Sequence, residues 1–446
     1  MTEPRHDANP AVTSSRTCAV AIVGAGMAGL IAARELDRQG IDVLVLESAD
    51  RVGGRVLAET SALGSRLDLG GQWVGYGHHR LEALAAELGA TVFAMRSPRR
   101  PTILEGTTTV GTWLTLAFAT SRLAELEIRS RLRVPKSWAS QTVEAWISST
   151  PGSRTRQLLD ALASVTTTAD LDRYSMAAFA QMTRYQGGLA SMMASKGGAQ
   201  ESLITQGAGT LAERLAADLA PRVLTGHGVL SIQHREDGVT LTTARGGIEA
   251  EQAIVTAPPP VAARIDYDPP LSGPISTLGR TTYMGSVYKA IAIFDRPFWR
   301  PRTSGEFIVL GDLPFAVFDT TPPDGPGHLC FLVAGRAARQ LDHLTNAERR
   351  HLLLGRLAPH TGPEVLDPVD WHEKSWHLDE HVGGGYAAIP EPGTTDGFLP
   401  MPSQAIGRLH WAGTETAGEH AGYIEGAIES GERVAHEIIE ARPKTA

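Results

Sequence analysis

An α/β fold is predicted, with a discontinuous Rossmann-like nucleotide domain carrying a second domain of mixed sheet and helices. Three features of the 446-residue chain predict it: a strand–turn–helix–strand run near the start, a strand meander at 222–256, and an amphipathic helix at 422–441 behind a glycine-rich lead-in. The length exceeds what one simple core accommodates. Segments 17–78, 205–278 and 386–446 are therefore assigned to the nucleotide domain, and 79–204 and 279–385 to the substrate domain.

Residues 1–16 are polar and proline-containing, without the apolar core of a signal peptide, and read as a loose tail. From Cys18 the chain reads CAVAIVGAGMAGLIAARELDRQGIDVLVLE. AVAIV has the unbroken apolar character of a buried strand, Leu30, Ala33 and Leu36 recur at helical spacing, and DVLVLE is a second parallel strand ending at Glu47. Glycines alone mark any tight turn. With a strand before them, a helix after them and an acid closing the next strand, Gly24, Gly26 and Gly29 specify a dinucleotide turn. They admit a pyrophosphate to the helix N-terminus, where free N–H groups and the dipole favour an anion, and Glu47 can accept from a ribose.

LEALAAEL places Leu81, Leu84, Ala85 and Leu88 on one helical face, and 113–220 reads as mostly helical with breaks at Pro135 and Pro151–Gly152. The stretch 222–256 alternates apolar and polar residues around the turns EDG and RGG, a meander returning to the sheet strand AIVTA. SVYKAIAIF, FAVFDT and HLCFLVAG supply further strands, and Ile424, Ile428, Gly431, Ala435 and Ile438 share one face of the last helix.

Lys plus Arg number 41 against 49 Asp plus Glu, a formal net charge of −8 that argues against nucleic acid or an anionic membrane as the main partner. No run approaches the roughly 18 apolar residues that span a bilayer. Cys18 and Cys330 sit in apolar runs and read as small buried side chains in a reducing compartment, so a cytoplasmic location is expected. The 15 histidines show no metal-ligand spacing; His78, His79, His372 and His377 are expected to be solvated, and no metal site is expected.

Six stretches carry a family resemblance: GAGMAGL (24–30), ESADRVGGR (47–55), LDLGGQWVG (67–75), GAQESLITQGAGTLAERLA (198–216), SVYKAI (286–291) and WAGTETAGEHAGYIEGAIESGERVA (411–435). In these, and over nearly all of its length after residue 17, the chain resembles the flavin-dependent amine oxidases, the monoamine and polyamine oxidases. The resemblance implies a discontinuous Rossmann-like FAD-binding domain and a mixed sheet-plus-helices substrate domain. It also implies oxidation of a C–N bond of a primary or secondary amine to an imine by hydride transfer to flavin N5, with O2 reduced to hydrogen peroxide.

Residue by residue, the resemblance places FAD against Gly24, Gly26, Met27, Ala28 and Gly29 in the first turn, and against Glu47 and Ser48 after the second strand. Gly53 and Gly54 would admit a close backbone approach, and Arg51 and Arg55 would neutralise phosphate. Gly70, Gly71, Gln72 and Trp73 would run beside the isoalloxazine edge, with Val229 near the adenine and Ala257 and Trp376 also in contact. Gly413, Thr414 and Glu415 would lie on the ribityl chain and phosphates. Gly422, Tyr423, Ile424 and Ala427 would open a helix aimed at the flavin pyrimidine ring, where its positive end stabilises negative charge.

Tyr386 and Tyr423 match the two tyrosines that flank the substrate amine: paired phenols form an apolar slot that favours the neutral amine, whose lone pair assists Cα–H cleavage. Gln72, Tyr185 and Gln200 are the other implied substrate contacts. Lys289 would be a mere edge charge by its strand setting; the resemblance makes it the lysine that holds a water at flavin N5 and promotes reaction with oxygen.

The stretch HVGGGYAA (381–388) asks what comes so close to three glycines. Monoamine oxidases carry a flavin-tethering cysteine where this chain has Gly385, and a tryptophan where it has Trp376. The glycines are thus expected to run along the flavin ring, with FAD bound non-covalently. A polyamine or diamine oxidase would need channel acids that the sequence does not place. L-amino-acid oxidases carry an arginine after the flavin-edge glycines that GGQWVG lacks, and desaturases of the same fold usually lack the paired tyrosines and the lysine. A non-catalytic flavin scaffold would leave those groups without purpose. The expected partners are a small amine and O2, with no nucleic acid and no membrane; a homodimer is admitted.

Overall fold

The computed structural model describes residues 16–98, 101–110, 113–394 and 398–442. Of the expected tail, residues 1–15 lie outside the described residues, and Arg16 already opens the strand Arg16–Val23. That strand is central to the nucleotide sheet. It pairs in parallel with Val43–Leu46 on one side and Gly246–Val255 on the other, and Val43–Leu46 continues to Val223–Leu224. Val20, Ala21 and Ile22 are fully buried because both sheet faces are covered, which is why the run is continuously apolar.

The meander Val229–His234, Val239–Thr243 and Gly246–Val255 is antiparallel. Its last strand is long enough to change neighbours: the N-terminal half pairs within the meander, and Ala253–Val255 pair with Leu409–Trp411. The end of the chain is thereby stitched to its beginning. Helix Met27–Arg38 crosses the closing helix Ile424–Ala441, which starts two residues later than expected with Tyr423 as its N-cap. The crossing is close enough that a Cβ on Gly431 would stand 2.5 Å from the Ala28 carbonyl oxygen.

The second sheet runs Asp370–Ser375, Val287–Phe294, Gly327–Ala334, Phe315–Asp319, Phe307–Leu310, Thr102–Glu105, Thr108–Thr109 among the described residues. Its central strands, Val287–Phe294, Gly327–Ala334, Phe315–Asp319 and Phe307–Leu310, are buried on both faces. Val287, Ile291 and Ile293 face a core shared with the helices Trp113–Arg131, Ser153–Thr167 and Met176–Tyr185, whereas Tyr288, Ala290, Ala292 and Phe294 share a core with helix Asn346–Thr361. The pairing sets Lys289 opposite Leu332, Leu332 opposite Ala316, and Ala316 opposite Ile308, one row across four strands. Within the expected helical stretch 113–220, Ser202–Ile204 is instead a strand, held by pairing with Val92–Ala94. Among the described residues no helix is long and apolar enough to cross a membrane.

Gly431→Val would drive a branched side chain into the Ala28 carbonyl. Overpacking of this kind costs about 1–3 kcal/mol, so thermal melting of the variant should fall by several degrees; an unchanged melting temperature would show that the two helices can separate without penalty.

Candidate active site

A cavity of about 840 Å³ runs from the Gly24–Gly26 turn, past Lys289, Tyr386 and Tyr423, to the row of the second sheet. At the turn, Gly24 has φ +106° and Gly54 φ +57°, and a Cβ on Gly54 would lie 3.3 Å from the Gly26 Cα. Gly26 itself has nothing within 4 Å of where a Cβ would sit, so its missing side chain is open cavity. Helix Met27–Arg38 begins there with no side-chain cap, leaving its first N–H groups for a ligand. Glu47 is buried and accepts from the Ala25 N–H at 2.7 Å and the Ala49 N–H at 2.9 Å, which fixes both loops.

Met27, Ala28, Ser48, Val229, Ala257, Gly413, Thr414, Ile424 and Ala427 line the same cavity, as do Gly70, Gly71 and Gln200. Gly29 does not: a Cβ there would stand 2.0 Å from the Gly24 carbonyl oxygen, so it serves the packing of helix on turn. Tyr185 is a second departure. It is the last residue of its helix, its hydroxyl donates to the Ala417 carbonyl, and its neighbour Gln186 reaches the cavity instead. One helical step, about 100°, separates the two.

Arg51 and Arg55 line the cavity, each held by protein groups. Arg55 makes a bidentate pair with buried Glu415 at 2.6 and 3.0 Å and donates to the Tyr386 carbonyl at 2.9 Å. Arg51 donates to the Gly54 carbonyl at 2.9 Å, lies 3.6 Å from Asp379 and stacks 5.5 Å over Trp376. Arg55 is held because a guanidinium fork matches a carboxylate and the buried acid needs a partner. Burial pushes Glu415 up, but the Arg55 charge and hydrogen bonds outweigh it and hold the carboxyl below its ordinary range.

Lys289 is 3% exposed. Its ammonium donates to the Gly70 carbonyl at 2.8 Å and to Gln72 Oε1 at 2.6 Å, and lies 5.8 Å over the Trp73 ring. Burial pulls its pKa down, opposed by Cys330 and Asp68. The other end of the Gln72 amide faces Cys330 Sγ at 3.8 Å, so Gln72, expected at the flavin edge and substrate, lines the cavity while also holding the lysine. Trp376 donates from Nε1 to the Leu69 carbonyl at 2.7 Å, bracing the same loop.

The three glycines answer to protein as well as to the cavity. Gly384 has φ +143°, and a Cβ on it would meet the Gly285 carbonyl oxygen at 2.3 Å. Gly385 donates to that oxygen at 3.0 Å, and Thr168 Oγ1 binds the Gly385 carbonyl and, at 3.0 Å, the Tyr386 N–H. Gly384, Gly385 and Tyr386 all line the cavity. Burial raises both phenols, Tyr423 to about 12 and Tyr386 further, so both stay protonated across the physiological range.

Four positions carried no separate signal in the sequence. Asp68 caps the helix Ala208–Asp218 through the Ala208 and Gly209 N–H groups at 2.8 and 3.0 Å, and burial pushes its pKa up to about 6. Glu306 is buried at the cavity, Thr168 is buried against Gly385 and Tyr386, and His78, expected in solvent, is 2% exposed. His78 Nδ1 accepts from the Gly75 N–H at 2.9 Å, and its ring packs 5.2 Å from Tyr423. His372 and His377 are also not solvated: His372 lies between Glu59 and Asp370, and His377 is 2.8 Å from Asp342. Each imidazole is drawn in by an acid the spacing could not reveal.

A family model described as flavin containing amine oxidoreductase matches residues 27–439. AofH of Mycobacterium tuberculosis, placed by its name among flavin-containing monoamine oxidases, is 34% identical over 95% of this chain and 96% of its own. An L-amino acid dehydrogenase of Synechocystis sp. is 32% identical over 95% of each chain. Among solved structures, cyclohexylamine oxidase from Brevibacterium oxydans IH-35A superposes with a TM-score of 0.89 at 27% identity, over 95% of this chain and 99% of that one.

Glu415 is held below its ordinary range, so its pairing stabilises the fold above the unfolded glutamate pKa, and that contribution is lost as pH falls through the folded value. Arg55→Leu should lower unfolding free energy by about 3 kcal/mol at pH 7. The deficit should shrink at pH 5, where the unpaired carboxyl takes up a proton. Denaturant titrations at the two pH values read this; an equal deficit at both would show the pair is not what holds Glu415 charged.

Proposed function

From the premise that the chain belongs to the flavin-containing amine oxidoreductase family and acts on amines, we propose that it is an oxidase holding FAD without a covalent bond and converting a primary or secondary amine to an imine, with O2 reduced to hydrogen peroxide. One observation carries this reading: a single cavity joins the open Gly26 turn to the tyrosine pair and the buried lysine.

The residues fit FAD. Gly26 offers the space a pyrophosphate needs, the uncapped helix supplies N–H donors, and Glu47 faces the cavity beyond the second strand. When bound, the flavin would supply the acceptor for the two electrons of the amine Cα–H bond, lost as a hydride. Gly385 has no side chain to tether it. The closing helix, capped by no side chain, turns its first N–H groups towards the same cavity.

Tyr386 and Tyr423 hold the amine by their ring faces and, as neutral phenols, provide no charge that would stabilise an ammonium. The lone pair thus stays available on nitrogen. Lys289 has three donors and two protein acceptors, Gly70 O and Gln72 Oε1; its third proton can hold a water. The amino-acid reading suggested by the Synechocystis relative finds less support. The arginines lining the cavity, among the described residues, are Arg51, Arg55 and Arg264; the first two are engaged as described, and Arg264 donates to the Glu380 carbonyl at 2.9 Å.

An aerobic amine panel should yield hydrogen peroxide, and acid denaturation with filtration should leave the polypeptide colourless. Gly26→Val should be recovered largely without flavin. Absence of peroxide with every amine would sink the oxidase reading. Colour retained by the polypeptide would sink the non-covalent one, and full occupancy in Gly26→Val would place the phosphates elsewhere.

A further inference from the structure

Tyr423 is fixed by its main chain. Its N–H donates to the His420 carbonyl at 3.1 Å, and its carbonyl accepts from Thr414 Oγ1 at 2.8 Å. Those bonds place the Cα and leave the angle of the ring to packing. Against that ring stands the His78 imidazole, with centroids 5.2 Å apart and planes tilted by 57°. His420 lies edge-on to both, 4.8 Å from His78 and 6.4 Å from Tyr423. His78 is buried but does not line the cavity, so any influence on a bound amine passes through its neighbours.

The backbone imposes this contact. Helix His79–Glu87 starts directly after His78, and its first turn is capped from another element. Buried Glu425, two residues past Tyr423, accepts from the Arg80 N–H at 3.1 Å and the Leu81 N–H at 2.8 Å. A carboxylate at a helix N-terminus satisfies orphan donors and meets the favourable end of the dipole. The starts of the two helices are thus clasped, with His78 against Tyr423. The imidazole is tied at its other side to the loop that holds Lys289: Gly75, whose N–H it accepts at Nδ1, follows Gly70 and Gln72 by a few residues. A Cβ on Gly75 would stand 2.9 Å from His78 Cε1 and Nε2, so the ring fills the space a side chain there would need. With Nδ1 an acceptor, the neutral ring carries its proton on Nε2, and a second proton would cost the Gly75 bond. Burial, reinforced by His420 and His79, lowers the imidazole pKa to about 3, so the ring stays uncharged beside a slot that favours a neutral amine.

We infer that His78 is a positioning residue for the amine slot: a neutral ring, tied to the Gly75 end of the flavin-edge loop, that sets the angle of Tyr423 and so the width of the slot between Tyr423 and Tyr386. This rests on the amine-oxidase reading and adds to it a residue that never touches substrate. A flexible side chain at position 78 would leave the Tyr423 ring free to tilt, and a charged one would place an ion behind it.

The test is a double-mutant cycle on the flavin-loaded enzyme, read as the rate of anaerobic flavin reduction by the amine that the parent oxidises fastest. His78→Asn removes the ring and can keep an acceptor for the Gly75 N–H, because its Oδ1 takes the place of Nδ1. His78→Phe keeps a ring and loses the acceptor. At saturating amine, reduction should slow about 10- to 100-fold in His78→Asn, as expected for a misplaced contact beside the reacting atoms, and less in His78→Phe. Made in Tyr423→Ala, the same His78→Asn change should slow reduction by no more than about twofold, the ordinary error of additivity. A parental rate in His78→Asn, or an equal slowing in both backgrounds, overturns the inference. Should His78→Asn be recovered without flavin, His78→Phe is put through the same cycle and judged by the same comparison of backgrounds. Failure of every amine to reduce the parent would instead sink the oxidase reading. The absorption band of the bound flavin, which reports rings packed beside the isoalloxazine, would then decide. A shift caused by His78→Asn in the parent and absent in Tyr423→Ala supports the inference; no shift, or equal shifts, overturns it.

Discussion

The site depends on keeping an ammonium inside a sheet that is otherwise apolar. Burying an isolated cation costs several kcal/mol even after relaxation, and each hydrogen bond to a charged group returns about 1.5–3 kcal/mol. Lys289 has two such bonds, to Gly70 O and Gln72 Oε1, with buried Asp68 opposing the downward pull of burial on its pKa. Much of the surrounding structure serves this arrangement. The glycine turn must present a carbonyl to the sheet: a Cβ on Gly70 would stand 2.4 Å from the Arg55 carbonyl oxygen. Trp376 braces Leu69, Cys330 steadies the amide of Gln72, and the helix after Gly207 holds Asp68 through two N–H groups.

The nucleotide half was legible because its constraints are local. A turn that must avoid a Cβ writes glycines at fixed offsets, and a strand covered on both faces writes an apolar run. The second sheet was legible as strands for the same reason, and its one lysine stood out because every neighbour in Val287–Phe294 is buried. Family motifs then pointed to Lys289, to Tyr386 and Tyr423, and to Gly385 at the tether position.

What sequence reading missed involves contacts between distant segments. The resemblance put Gln72 at the flavin edge and substrate, and it lines the cavity; what it did not show is that Cys330 and Lys289, from two strands of the other sheet, hold its amide. The sequence could not show that Arg55, which lines the cavity, is held by Glu415, 360 residues away. Tyr185, placed at substrate by the resemblance, turns its hydroxyl to the Ala417 carbonyl from a distant loop, and its neighbour Gln186 lines the cavity instead. His78 and Glu306 sit among loop or edge residues with no pattern of their own, and only assembly buries them.

The central claim is that Lys289 is kept buried and charged to act on the water and oxygen side of the reaction rather than for packing. Lys289→Met, which preserves length and removes the charge, tests this most directly by stopped-flow absorbance. Anaerobic bleaching of the flavin band by amine should change modestly. Recolouring on mixing with oxygen should slow by about ten- to a hundredfold, or roughly 1.4–2.8 kcal/mol of barrier. Recolouring at the parental rate would contradict the account and leave the lysine a structural charge.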